Sequence, residues 1–164
     1  MVQLSSLAHN FGKIRFEDIH WEKGYNKWGA YGMSKLANLL FVRELTNKLA
    51  ETGDKVTVAA AHPGYADTEL QAKGSRMKGN KLGAFSMNLV NKLVAQSGEK
   101  GALPSLYAAT AKDVEQGAYF GPGGLMKLHG WPVPDSPNKK LVNNEVAGKL
   151  WNVSEALTSL EFKV

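Results

Sequence analysis

The sequence contains no cysteine. That single absence excludes disulfides, thiolate metal sites and thiol nucleophiles together, and it suits a reducing compartment, so a cytoplasmic location is expected. Long hydrophobic runs are missing as well. Stretches such as Leu39 to Val42 and Val58 to Ala61 fall far short of the ~20 apolar residues that span a bilayer, and no membrane span is expected. Met1 is followed by Val, Gln, Leu and two serines, which supply neither the basic flank nor the apolar block of an export signal. No internal repeat and no low-complexity segment occurs. His9, His20, His62 and His129 are too scattered to pair on one helix face, and none has a carboxylate at metal-site spacing, so no metal site is expected.

The formal net charge of +5 invites the idea of an anionic partner. Its densest source is Lys73, Arg76, Lys78 and Lys81 in a glycine-containing stretch. Aromatic residues are not interleaved with these cations and no docking motif surrounds them, so nucleic acid is not expected as a partner. The stretch reads as a solvated basic loop, with an anion-binding module as the remaining alternative.

What the chain does have is enough length and apolar content for a core. A chain of 164 residues, 43% of them hydrophobic, can bury roughly 70% of its unfolded surface as one domain, 1–164. Residues 7–29 lack sustained periodicity and read as a long ordered loop. Leu39, Val42, Leu45 and Leu49 then recur at spacings of three and four, predicting an amphipathic helix over Ala30 to Glu51 that Gly53 stops. Val56 to Ala61 is nearly all apolar and small, the pattern of a strand buried on both faces of a parallel sheet. A helix feeding such a strand implies an α/β layer fold. Further helices are predicted over Asn80 to Gln96, over Ser97 to Lys112 with Ser97 as N-cap and Glu99 in the first turn, and over Asn143 to Thr158. Ala118 to Phe120 reads as a short strand, and Trp131 to Pro137 as a proline-rich loop.

Chemistry concentrates at a few places. Tyr31 and Lys35 are four apart near the start of the long helix, which puts their Cβ atoms about 5 to 6 Å apart on one face. A phenol titrates near a pKa of about 10, and a neighbouring ammonium favours phenolate by roughly one to three units, which makes Tyr31 a candidate general acid/base. The spacing alone is common on exposed helix faces, so it needs company. Ser5 and Ser6 follow a strand-like segment, Val2 to Leu4, where a hydroxyl can reach a substrate oxygen; they can equally cap a turn. Pro63 and Gly64, with Thr68 soon after, follow the buried strand at the edge where open α/β sheets bind ligands; they can equally just end the strand.

Taken together, the serine pair after a strand, Tyr31-Gly-Met-Ser-Lys35, the continuation Leu36-Ala-Asn-Leu-Leu-Phe, the buried strand and His62-Pro-Gly-Tyr-Ala-Asp-Thr68 resemble consecutive landmarks of the short-chain dehydrogenase/reductase family. Ser6 and Tyr31 lie 25 apart, a longer insert than usual, which is similar to the branch of retinol dehydrogenases and WW-domain oxidoreductases. The resemblance runs over almost the whole chain and is less diagnostic in the final third. It implies the C-terminal half of a doubly wound parallel, Rossmann-type sheet, and a nicotinamide-dependent oxidoreductase that interconverts an alcohol and a carbonyl.

By that resemblance Tyr31 exchanges the proton with the substrate oxygen. Lys35 acts on Tyr31 and hydrogen-bonds the nicotinamide ribose. Ser6 holds the substrate oxygen, with Ser5 as the alternative, and Pro63, Gly64 and Thr68 line the nicotinamide end of NAD or NADP, of which NADP is favoured. A substrate lid would fall on Leu125 to Trp131, pointing to an apolar small molecule. The family's glycine-rich turn and its adenosine-binding residues belong upstream of Ser6 and are not in this sequence. Gly121 to Gly124 follows a short strand without opening a convincing helix, and so does not form a phosphate cradle. The N-terminal dinucleotide-binding strands are therefore expected to be missing, the chain alone to be inactive, and its opened sheet edge to invite self-association. The alternative is a non-catalytic remnant that acts as an interaction or vestigial protein.

Overall fold

A computed structural model of the chain describes residues 1–65 and 96–162. Thr68, the Lys73 to Lys81 cluster and the helix expected over Asn80 to Gln96 lie outside the described residues, apart from Gln96, which forms a bridge and is not helical. Four strands form one sheet in the order β1 (Val2–Leu4), β2 (Ala59–Ala61), β3 (Tyr119–Pro122), β4 (Pro132–Asp135). The first three are parallel, in register Gln3 to Ala60 and Ala61 to Phe120, and β4 returns antiparallel to β3.

The three alanines of β2 sit at the centre of the packing, all buried. Because side chains alternate across a strand, Ala60 joins Leu39, Val42, Leu45 and Leu49 of α1 (Lys27–Thr52) on one face. Ala59 and Ala61 meet Ala108 of α2 (Gly98–Thr110) and Phe120 on the other. Residues this small let a helix approach the sheet closely from both sides, which is why this run reads as a doubly buried strand. A second stripe on α1, Met33, Leu36 and Leu40, packs against Ala147 and Leu150 of α3 (Asn144–Thr158) and Ile14 of the preceding loop. The result is a partial α/β/α layer fold with a mostly parallel sheet.

Helix ends follow their side chains. Asn26 caps α1 by accepting from Gly29 N at 2.8 Å, so the helix starts three residues earlier than its apolar stripe suggests. Gly53 ends it in the left-handed region at φ 76°, its N–H bonding Leu49 O, a conformation that glycine adopts without a Cβ penalty. Ser97 caps α2 through Lys100 N, as expected, and Asn143, expected as the first residue of the last helix, instead caps α3 through Val146 N.

One expectation fails. Trp131 to Pro137 is not simply a loop, since Pro132–Asp135 pairs with β3 as Phe120 to Pro134 and Pro122 to Pro132. Proline cannot donate to a ladder, but an edge strand tolerates it, and β4 lies at the edge of the sheet. Residues 7–26 form the expected ordered connection, built on short 3-10 turns at Leu7–Phe11 and Phe16–Asp18.

Candidate active site

β1 and β2 run side by side, so the residues just past their carboxyl ends are neighbours, and the first turns of α1 lie beside them. Ser5 extends the ladder by donating its N–H to Ala61 O at 2.8 Å. Its side chain is buried, and Oγ donates to Lys35 O at 2.8 Å. This bond fastens the serine pair to the helical turn that carries Tyr31 and Lys35, and it uses the Ser5 hydroxyl proton.

Ser6 is placed differently. Its Oγ accepts from Ala8 N at 3.2 Å, capping the 3-10 turn Leu7–Phe11, while its hydroxyl proton is not donated to any described residue. Its carbonyl is gripped twice by His9, from the backbone N–H at 3.0 Å and from Nδ1 at 2.7 Å. A carbonyl can only accept, so Nδ1 of His9 carries the proton and Nε2 does not. Nε2 is buried without a hydrogen-bond partner. Burial holds the His9 pKa below the ordinary imidazole value, the bond to Ser6 partly opposes this, and nearby His62 adds to the lowering.

Tyr31 is about one-third exposed and packs edge-on against Trp28, ring centroids 6.5 Å apart. The Lys35 ammonium stands 5.7 Å from the centre of the Tyr31 ring and donates to Leu4 O at 3.3 Å. Asn38, one turn further on, donates to the same carbonyl at 2.8 Å. Lys35 thus sits between the tyrosine and the open edge of β1. The part played by Asn38 escaped sequence reasoning, because a lone polar residue inside Leu36-Ala-Asn-Leu-Leu carries no local signal.

After β2 comes His62-Pro63-Gly64. Gly64 has φ 68°, and a Cβ there would run into Leu128 O and Pro122, so both conformation and space demand glycine. Tyr65 N donates to Leu128 O at 2.7 Å. Buried Gln96 braces the turn: its Nε2 donates to Pro63 O at 2.6 Å and its Oε1 accepts from Gly130 N at 3.2 Å. Gln96, too, was not legible, since its partners are 33 and 34 residues away in the chain.

Beneath this surface lies a buried polar cluster. His62 is fully buried; Nδ1 accepts from Gly64 N at 3.2 Å and Nε2 lies 3.0 Å from Asp135 Oδ2. The other Asp135 oxygen accepts from Ser136 N at 2.6 Å and pairs with Lys127. Burial pushes the Asp135 carboxyl up, but the bonds from His62, Lys127 and Ser136 outweigh it and bring its pKa to about 2. Tyr119 lies between the two histidines, 5.9 Å from His9 and 5.3 Å from His62 by ring centroids. Burial and the Asp135 charge push its phenol well above the ordinary value.

The glycines of 121–124 are spent on packing. A Cβ at Gly121 would overlap the His62 ring, and one at Gly124 would strike His129. The chain then enters a three-residue 3-10 turn, Leu125–Lys127, and this segment supplies no helix N-terminus for a phosphate. A groove of about 410 Å³ beside the edge of β1 is lined by Gln3, Asn38, Phe41 and Trp151; a smaller one of about 210 Å³ lies near Val42, Thr46 and Tyr119. Neither contains Ser6, Tyr31 or Pro63, which stand on the open carboxyl edge of the sheet. Among the described residues no three His, Asp or Glu side chains gather as a metal would require, and no helix is long and apolar enough to cross a membrane.

The class to which this mostly parallel sheet belongs emerges from comparison with known proteins. The short chain dehydrogenase family matches residues 19–79. Retinol dehydrogenase 13 of Mus musculus is 38% identical over 163 residues, covering 98% of this chain and 45% of its own length. Retinol dehydrogenase 12 of Mus musculus is 38% identical over 168 residues, covering 99% and 46%. The crystal structure of an uncharacterized protein from Mycobacterium Paratuberculosis superposes with a TM-score of 0.74 at 33% identity, covering 99% of this chain and 51% of that one. The chain belongs to the short-chain dehydrogenase/reductase family. It spans about half the length of the curated relatives it matches, corresponding to their C-terminal half.

Proposed function

We propose that this chain supplies the catalytic half of an NAD(P)-dependent oxidoreductase that interconverts an alcohol and a carbonyl, with Tyr31 as general acid/base. The observation that carries this reading is the Ser5 to Lys35 bond at 2.8 Å. It holds three elements, the end of β1, the Ser6 hydroxyl and the Tyr31–Lys35 turn, at one end of the sheet. When bound, the reduced cofactor, NAD(P)H, would supply the hydride. In the reducing direction Tyr31 would give its phenolic proton to the substrate's carbonyl oxygen, while Ser6 would donate a hydrogen bond to the same oxygen. Lys35 holds positive charge beside the Tyr31 ring and would be the residue to hold the nicotinamide ribose.

The residues present fit the nicotinamide end of the cofactor: a Pro63–Gly64 turn braced by Gln96, with Lys35 at the end of the neighbouring strand β1. They do not supply a pyrophosphate cradle, since the glycines of 121–124 are packed against His62, Val133 and His129. Thr68 belongs to the same nicotinamide edge in this reading. We take residues 1–164 as one domain acting in the cytosol, inactive without a dinucleotide-binding half. The names of its relatives and the exposed Leu125, Met126 and Trp131 support an apolar substrate, for which retinal is a suitable probe. The test is turnover of retinal with NADPH and NADH by an enzyme in which the chain is completed by the N-terminal half of a retinol dehydrogenase. Turnover that disappears in Tyr31→Phe supports the reading; equal turnover in parent and variant ends it.

A non-catalytic remnant remains the second reading, because Lys35 is engaged by Leu4 O and no glycine-rich cradle stands among the described residues. Binding of neither nucleotide by the completed protein would favour it.

A further inference from the structure

The most heavily buried polar side chain beneath the site is one to which the proposed reaction assigns nothing. His62 is 0% exposed, and burying an imidazole is costly unless both nitrogens are satisfied. Both are, and in a way that decides where the proton sits. Gly64 N–H points at Nδ1, so Nδ1 is the acceptor and Nε2 the donor. Nε2–H then donates to Asp135 Oδ2, and the carboxylate is held in turn by Ser136 N–H and Lys127. The ring therefore joins two places far apart in sequence. One is the backbone of the Pro63–Gly64 turn. The other is β4 together with the 123–131 loop, where Met126 and Lys127 are both in the left-handed region, at φ 52° and 58°. Two consecutive non-glycine residues there are strained and persist only when their surroundings hold them. The Lys127 to Asp135 pair is one such hold.

We propose that His62 and Asp135 are a positioning pair for the cofactor-facing turn: the bridge from Gly64 N–H through the His62 ring to Asp135 fixes the Pro63–Gly64 peptide, and Lys127 extends the same hold to the 123–131 loop. The inference rests on reading that turn as the nicotinamide edge. It adds residues that touch neither substrate nor cofactor. The space around the ring fits this role. Gly121, directly across β3, must lack a Cβ for the His62 ring to occupy its place, and Tyr119 packs tilted against the ring at 5.3 Å. A bond to a charged acceptor is among the stronger ones in a protein, so its loss should be measurable.

Two readouts test the pair independently. In the 164-residue chain, nitrogen NMR of the His62 ring should report the Nε2–H form, and the Gly64 amide should exchange slowly. Asp135→Asn and Gly121→Ala should each speed that exchange about tenfold or more. In the completed enzyme, with retinal and 4-deuterated NADPH, His62→Leu and Asp135→Asn should each lower kcat about ten- to hundredfold with a larger deuterium isotope effect, because a misplaced nicotinamide slows the chemical step itself. The double variant should be no worse than the worse single one, as expected of residues acting as a unit, and His62→Gln, which keeps a donor toward Asp135, should recover part of the loss. Variants that lose active protein but keep the parent's isotope effect, or that add independently, would overturn the proposal. So would rapid Gly64 exchange in the parent. If the completed parent turns over nothing, the functional reading fails and Gly64 protection alone decides the positioning role.

Discussion

Ser5 Oγ donates to the main-chain carbonyl of Lys35 at 2.8 Å, across 30 residues of sequence. The adjacent Ser6 keeps its hydroxyl proton free of the described residues while its carbonyl is held by His9. One serine is therefore spent on architecture and the other is presented, which separates two residues that the sequence leaves interchangeable.

That separation predicts opposite phenotypes. Ser5→Ala should cost stability, about 0.5 to 1.5 kcal/mol for one lost hydrogen bond, with little change in the chemical step of the molecules that remain folded. Ser6→Ala, which loses the cap of the 3-10 turn, should lower the urea midpoint modestly and lower turnover of the completed enzyme about a hundredfold. Chemical denaturation and steady-state kinetics on both variants check this. The reverse pattern would transfer the catalytic role to Ser5.

Tyr31→Phe removes one hydroxyl from a side chain that is about one-third exposed and packed only along its ring. We expect turnover to fall by ~10² to 10⁴, the range a positioned acid/base contributes, with cofactor affinity within a few-fold of the parent. Fluorescence titration beside single-turnover kinetics separates the two. Lys35→Met should weaken cofactor binding and alter the pH profile together. A change in KM alone would remove Lys35 from the proton step.

Acid should weaken the fold in two windows. The folded His9 pKa is lowered by burial, so below the unfolded value of about 6.5 the unfolded chain binds the proton that the folded chain refuses. Stability therefore declines as pH falls through about 6.5. Asp135 behaves as a depressed carboxylate: its contribution is present above the unfolded value of 3.8 and is lost as pH falls toward about 2. Urea melts from pH 8 to 2 should show the first decline disappear in His9→Phe and the second in Asp135→Asn. A His9→Phe profile that overlays the parent between pH 5 and 6.5 would contradict the first assignment.

Leu40 is fully buried between α1, α3 and the loop around Ile14. Leu40→Ala should destabilise the chain by about 2 to 5 kcal/mol, the usual cost of a lost core methyl cluster and its cavity, read as a lower urea midpoint at unchanged slope.

β1 pairs only with β2 among the described residues, and Leu4 is 47% exposed at that edge. Lys35 and Asn38 already cover the Leu4 carbonyl, but an apolar open edge still invites pairing with another chain. Sedimentation of the 164-residue chain should show concentration-dependent association, reduced by Leu4→Lys. A concentration-independent monomer would refute it.

Much was legible locally. The 39-42-45-49 stripe specifies a helix with one apolar face, the alanine-rich run before His62 specifies a strand with no polar face, and Gly53 and Ser97 mark helix ends because a cap depends only on a few neighbouring backbone groups, whereas the caps at Asn26 and Asn143 came only with the structure. Tyr31 and Lys35 share a face because helical geometry alone puts them there. The rest depends on distance in sequence. No local pattern could tell Ser5 from Ser6, because the bond that distinguishes them reaches Lys35. None could turn Pro132–Asp135 into a strand, because proline is admitted only where the neighbouring edge is empty. His62 meets Asp135 across 73 residues because β2, β3 and β4 are adjacent. That adjacency is created by packing helices on two faces of the alanine strand, and it exists only once the sheet has closed around them.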